Sequence, residues 1–314
     1  MSRYIVRRLG FLLLTLLLTS IIIFTVTQLL PGDIARIILG REASDTAIAA
    51  LRAELGLDRP APIQYITWLG GFIVGDWGES YGTGQAIRPL VLERLGNSLM
   101  LAAVTLVIAV PISVALGVVA GLREDSFLDH TISIGSLSVV GLPEFVTGLL
   151  LIQLFAFRLR LLPANSSIET GASFMEALPM LILPALTATL VLLAYVTRLT
   201  RASVIEELRK PYVRTAALKG IPRGRVIRHH VLRNALLPTV TVLAISVGWL
   251  ISGLIVVENV FNYPGFGRLL TFAIDRRDVP LLQAISLVTV FGFATANLAA
   301  DLLYAYLNPR IRLS

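Results

Sequence analysis

Few residues of this chain could do chemistry. The 314 residues include three histidines (His130, His229, His230) and no cysteine. Without cysteine there can be no disulfide, thiolate-bound metal or thiol nucleophile. The neighbouring His229 and His230 point to different faces of a helix and make a poor metal site. No Gly-x-x-x-x-Gly-Lys-Ser/Thr loop occurs, so ATP hydrolysis is not expected of this chain. Gly-x-Ser-x-Gly and His-Glu-x-x-His are missing as well, and no catalytic residue is assigned. What remains is polar residues inside long apolar runs. Glu144 follows Gly141-Leu142-Pro143, and Asn297 and Asp301 stand at i, i+4. A charge within a membrane span is by default a functional hypothesis. Asp301 falls near the end of its run, where snorkelling or pairing accounts for it. Glu144 and Asn297 are the candidates for lining a translocation path, with structural pairing the alternative reading of Glu144.

Those residues are held by a chain that is 55% hydrophobic and only 15% charged. That is too little charge to coat a soluble protein of this size. Six runs fit spanning helices at about 1.5 Å per residue: Leu9–Leu30, Ser98–Gly121, Thr131–Phe157, Leu178–Leu199, Leu236–Val257 and Leu281–Leu303. The fold class expected is therefore all-α and integral to the membrane, one transmembrane domain over residues 1–314. Dense charge within the spans, usual in ion-coupled carriers, is lacking. With both ends inside, the inner segments hold 16 of the 27 Lys and Arg, and the net charge of +7 is what topology alone explains. Both termini are expected in the cytoplasm. The run after Met-Ser-Arg-Tyr-Ile-Val-Arg-Arg is followed by Pro31-Gly32-Asp33 and not by a small-x-small site, which favours an uncleaved anchor. Small residues recur at helix-contact spacing as Ser113, Gly117 and Gly121, and as Gly292, Ala296 and Ala300.

Two segments differ from the spans. The outer loop 31–97 is too long for a plain connector and is expected to fold. The spacing predicts a helix over Asp45–Leu55, capped by Ser44 or Asp45 and stopped by Gly56. A second helix starts at Pro62, and Trp68 and Trp77 suit the membrane interface. The loop reads equally as a cap over a pathway, a docking platform for an external protein, or packing over helix ends. The inner segment 198–235 is basic and predicts two helices, Val204–Lys219 and Arg223–Ala235, separated by Gly220-Ile221-Pro222. This is a helix–turn–helix in outline, but both ends are tied to spans, so nucleic acid is not expected as a partner.

Tyr212-Val213-Arg214-Thr215-Ala216-Ala217-Leu218-Lys219-Gly220, continuing to Arg233-Asn234-Ala235-Leu236-Leu237-Pro238, resembles the Glu-Ala-Ala loop of binding-protein-dependent ABC importer permeases. Thr215 at the usual Glu position and the late Leu-Pro resemble the dipeptide/oligopeptide/nickel branch. Further blocks agree in order along the chain: Tyr4 to Leu9, Leu30 to Asp33, Leu55 to Asp58, Gly75 to Ser80, and Glu258 to Phe261 with Pro264 to Gly267. The resemblance implies a pore-forming subunit, the first permease of its system. It would be paired with a second homologous permease, two cytoplasmic ATPases that bind ATP and Mg, and an external binding protein in a bacterial or archaeal inner membrane. It implies no cofactor in this chain. It also implies that Thr215, Ala216, Ala217, Lys219, Gly220 and Arg223 form the helix and turn that dock on an ATPase. Peptides, nickel chelates, glutathione, opines and oligosaccharides are all open as substrates. An ion-coupled carrier working without an ATPase is the alternative.

Overall fold

The computed structural model describes residues 2–29, 34–40, 42–168 and 173–307, and is helical throughout apart from one antiparallel bridge between Glu79 and Ala86. The helices are α1 (Ser2–Gln28), α2 (Ile34–Leu39), α3 (Asp45–Glu54), α4 (Ala61–Val74), α5 (Ile87–Leu122), α6 (Phe127–Val140), α7 (Glu144–Leu151), α8 (Phe174–Leu208), α9 (Pro211–Leu218), α10 (Arg223–Val226), α11 (Leu232–Gly253), α12 (Ile255–Val260), α13 (Phe266–Asp275) and α14 (Val279–Leu307). Two π-helical stretches, Ile152–Arg158 and Ile227–Val231, extend α7 and join α10 to α11.

Among the described residues, four helices are long and apolar enough to cross a bilayer, at Val6–Gln28, Ile87–Leu122, Phe174–Leu208 and Val279–Ala299. A fifth span results if Phe127–Val140 and Glu144–Arg158, bent by 104° against each other, count as one. The bend falls where Gly141-Leu142-Pro143 places it. Pro143 is extended (ψ 140°) and starts the second helix, as a residue without an N–H can. Pro111 and Pro184, by contrast, are absorbed into continuous helices. The run Leu236–Val257 is occupied by the 22-residue α11 and the short α12.

Three boundaries differ from the sequence expectation. The loop after the first span is shorter than the expected 31–97, because Ile87–Asn97 already belong to the 36-residue α5. The helix expected over Val204–Lys219 is two helices. Pro211 opens α9 and forces Lys210 before it into an extended conformation (φ −69°, ψ 144°), which ends α8. The second inner helix continues through α10, the π stretch and α11 without a stop at Ala235. The blocks around Pro31 and Arg310 lie outside the described residues.

The chain forms two compact units. The first comprises Met1–Asn97 and Gly265–Thr295. Here Ser44 caps α3 by accepting from Ala47 N, and Ile48 is buried. Helix α4 lies on the end of α1, where Phe24 meets Tyr65 and Trp68 at ring distances of 5.4 and 5.8 Å, and the Ser20 and Tyr65 hydroxyls share a 2.7 Å hydrogen bond. Its core is Ile87, Val91, Phe266, Leu281 and Ile285. Buried Asp278 accepts from Ser80 Oγ (2.6 Å), Gly82 N (2.9 Å) and Leu281 N (3.3 Å), which pins the loop before α5 to the start of α14.

The second unit comprises Ser98–Pro264 and the chain from Ala296 onward. Its core gathers Leu101, Leu181, Leu183, Leu250, Phe261 and Tyr263. The stripe Ser113–Gly117–Gly121 packs on α8. A Cβ on Gly117 would sit 2.6 Å from Thr200 Cβ and 2.7 Å from Thr197 O, so only glycine permits this approach. Polar groups cross the same seam, with Thr197 Oγ1 donating to Ser113 O at 3.2 Å. Such packing holds helices together where apolar burial offers no preference over lipid. Of the second small-residue stripe, Gly292 and Ala296 are half-buried and Ala300 lies outside the described side chains.

Candidate functional site

The loop between α8 and α11 is built around the short α9. Its backbone ends in a Schellman turn, in which Gly220 N donates to Ala217 O (3.0 Å) and Ile221 N to Ala216 O (3.3 Å). Gly220 takes φ +73°, the left-handed region that only glycine enters without strain. Nothing lies within 4 Å of a Cβ built there, so the turn is open to whatever approaches it. Ala216 faces inward and packs with Val226 and Val231. Thr215, Ala217, Lys219 and Arg223 are exposed with Gly220, and so is Leu218, at 81%. The Thr215 hydroxyl donates back to Pro211 O at 3.1 Å. Five of the six residues expected to meet an ATPase therefore share one exposed tip, while Ala216 fixes the tip to its base.

What holds this tip was not apparent from the motif. Glu207, on the last turn of α8, is 5% exposed. Its carboxylate accepts from the Lys210 ammonium and from the Tyr212 hydroxyl. That hydroxyl in turn accepts from Asn234 Nδ2 at 3.3 Å, and Asn234 Nδ2 also reaches His230 O at 3.1 Å. The brace thus joins the end of α8, the start of α9 and the first turn of α11. The Glu207 carboxylate beside it holds the Lys210 ammonium above its ordinary value, and burial, then Glu207, push the Tyr212 phenol up. Both groups consequently keep their protons at neutral pH and stay donors. Tyr212 and Asn234 stand in the recognisable sequence blocks, but Glu207, on which the Tyr212 hydroxyl rests, lies outside them.

A second ion pair stands nearby, six residues before Glu207 on α8. Asp129, 2% exposed at the start of α6, receives Arg201 Nη2 at 2.7 Å together with Arg201 Nε. It also accepts from Asp125 N at 3.0 Å and Ser133 Oγ at 3.2 Å. A bidentate guanidinium satisfies a carboxylate more completely than an ammonium could.

The intramembrane candidates are placed apart. Glu144 is half-buried in the first turn of α7, directly after the bend, and Asn297 is half-buried on α14. No side-chain hydrogen bond or ion pair joins them among the described residues. The fully buried acid of this unit is another one. Glu258 is 0% exposed and accepts from Ser98 Oγ. Burial, then Glu258, push the nearby Tyr263 phenol up, so it remains neutral. No group of three His, Asp or Glu side chains that could hold a metal occurs among the described residues.

Residues 113–313 match the family model "Binding-protein-dependent transport system inner membrane component", and residues 1–116 match the N-terminal model of the same transport systems. A probable peptide ABC transporter permease protein of Sinorhizobium fredii is 38% identical, covering 99% of this chain and 100% of its own length. A putative peptide permease protein of Brucella suis is 38% identical with full coverage of both chains. A glutathione transport system permease protein of Escherichia coli K12 is 37% identical over 99% of each chain.

Proposed function

Because the chain belongs to the binding-protein-dependent inner membrane components, the permeases of ABC importers, we propose that it moves peptides or a similar small solute inward, with α9 and the Gly220 turn as its contact to an ATPase. The names of its relatives support a peptide-like cargo, one of them being a glutathione permease. Nothing in the family match supports an ion-coupled carrier. The reading of the loop is carried by one observation. An exposed, open-faced turn stands on a helix that is braced through buried Glu207 to two long apolar helices. A rigid lever of this kind transmits a push. Movement of ATPases that bind and hydrolyse ATP with Mg would tilt α8 and α11 together.

The full arrangement proposed is six spans in one permease domain, with α11 and α12 as the fifth, both termini cytoplasmic, in a bacterial or archaeal inner membrane. The partners are a second, related permease, two ATPase subunits and an external binding protein that delivers cargo. Glu144 and Asn297 line the path. The half-buried carboxyl of Glu144 beside a 104° helix break supports a wet site, since freed backbone groups there need water or protein partners.

The test is to tag the chain in its host, solubilise it gently and identify what co-purifies. Recovery of an ATPase pair, a second permease and a binding protein is expected. Recovery of this chain alone, active in vesicles without ATP, would overturn the reading. For the path, Glu144→Cys is expected to react with polar thiol reagents in at least one transport state. A residue unlabelled in every state removes Glu144 from it.

A further inference from the structure

Beside the Asp129–Arg201 pair a groove of about 510 Å³ opens between α6 and α8. Ser133 and Leu137 form one wall, and Tyr195, Arg198, Leu199 and Arg201 the other. Tyr195, Arg198 and Leu199 stand at i, i+3 and i+4, so one face of α8 carries an aromatic ring, a cation and an aliphatic chain side by side. The volume lies in the range of small-molecule sites.

The charge in this groove is unbalanced. Asp129 is the one buried acid beside it, and both carboxylate oxygens are already engaged: Oδ1 by Arg201 Nε and Ser133 Oγ, Oδ2 by Arg201 Nη2 and Asp125 N. Of the other acids nearby, Glu124 is held by Arg209 at 2.6 Å, and Asp125 is exposed at the turn before α6. Arg198 is exposed and forms no ion pair among the described residues, and Arg201 Nη1 makes no hydrogen bond among them. The lining therefore offers the Arg198 guanidinium and one spare N–H edge of Arg201, and holds no acid of its own among the described residues.

Its walls also have a direction. On the α6 side, Leu137 is 52% exposed, an apolar surface that water would not cover favourably. Tyr195 is 59% exposed. The apolar run of α8 ends at Leu199, so Arg198 and Arg201 stand where hydrocarbon gives way to headgroups, the level at which tyrosine also gathers. A phosphate at Arg198 with an acyl chain along Leu137 and Leu199 satisfies both the charge and the apolar wall. A free phosphate satisfies only the charge.

We propose that this groove holds an anionic phospholipid, its phosphate on Arg198 and Arg201 and its chain between α6 and α8. Basic recesses between spanning helices on the cytoplasmic side suit such headgroups. Assignment to the inner leaflet rests on the orientation proposed above.

The full-length chain, purified with its co-purifying subunits in detergent, is titrated with phosphatidylglycerol or with phosphatidylcholine of identical chains and read by native mass spectrometry. Phosphatidylglycerol is expected to be retained and phosphatidylcholine to wash out. Arg198→Gln is expected to weaken phosphatidylglycerol roughly fivefold, as loss of one interfacial cation does, with Arg198→Lys recovering part of the loss. Equal retention of the two lipids, or no change on Arg198→Gln, overturns the proposal. Displacement of the lipid by millimolar inorganic phosphate would make the site one for free anions. Cross-linking of Tyr195→Cys to the second permease would make the groove a protein interface. Orientation is checked separately: labelling of Lys219→Cys from outside intact cells would refute the leaflet while leaving lipid retention in detergent unaffected.

Discussion

Gly220 allows the lever to be tested by separating two costs. Placing an L-residue at φ +73° costs about 1–2 kcal/mol, roughly five- to thirtyfold in the population of the turn. For alanine that is the whole cost within this chain, because a Cβ at Gly220 meets nothing within 4 Å. Alanine and tryptophan therefore impose a similar backbone strain here, and asparagine, which tolerates the left-handed region, imposes less. The indole extends beyond Cβ, so protease resistance of the loop separates any cost within this chain from a clash on a partner's surface. The assay is binding-protein-dependent uptake and ATP hydrolysis by the reconstituted complex, with protease resistance of the loop as the measure of the turn. Gly220→Asn is expected to stay near wild type, and Gly220→Ala to lose part of its uptake in proportion to its protease sensitivity. Gly220→Trp is expected to match alanine in protease sensitivity yet abolish uptake, while still inserting in the membrane. If the tryptophan variant transports as well as the alanine variant, the turn does not enter a groove on the ATPase and the docking assignment is wrong.

Tyr212→Phe removes one hydrogen bond to a charged, buried carboxylate, a loss of about 1.5 kcal/mol. It is expected to leave expression intact while lowering the transport achieved per ATP hydrolysed; an unchanged ratio would reduce the brace to a purely structural contact. Gly117→Ala forces α5 and α8 apart and is expected to cost about 1–3 kcal/mol in detergent unfolding, as overpacking does. Gly96→Ala on the same helix, with open space around its Cβ, should show no such loss. Asp129→Asn strands the Arg201 guanidinium and is expected to cost about 3 kcal/mol, the low end for a broken buried pair, because Arg201 keeps 30% exposure. A neutral result in the same unfolding measurement would refute the account of that pair.

Much of this molecule is legible in one dimension because lipid imposes a simple rule. A span must be apolar for its whole length, so Leu9–Leu30, Leu178–Leu199 and Leu281–Leu303 stand out directly. The turn at Gly220 is equally plain, since glycine followed closely by proline both stops one helix and starts the next. The sequence also determined the family, through blocks whose order runs along the whole chain. Helix lengths beyond the bilayer were not legible, because Ile87–Asn97 continue α5 into a region where polarity no longer distinguishes loop from helix. Nor was the break at Lys210, where a proline in a polar stretch could equally have opened the existing helix. The partnerships of Tyr212 with Asn234 and of Asp129 with Arg201 were decided by tertiary structure alone. Asp129 and Arg201 are 72 residues apart, and the Tyr212 hydroxyl reaches Asn234 across 22. Carboxylates that read as loop charges become buried anchors only when folding brings a guanidinium, an ammonium or a phenol against them, and burial without such a partner would be too costly to survive.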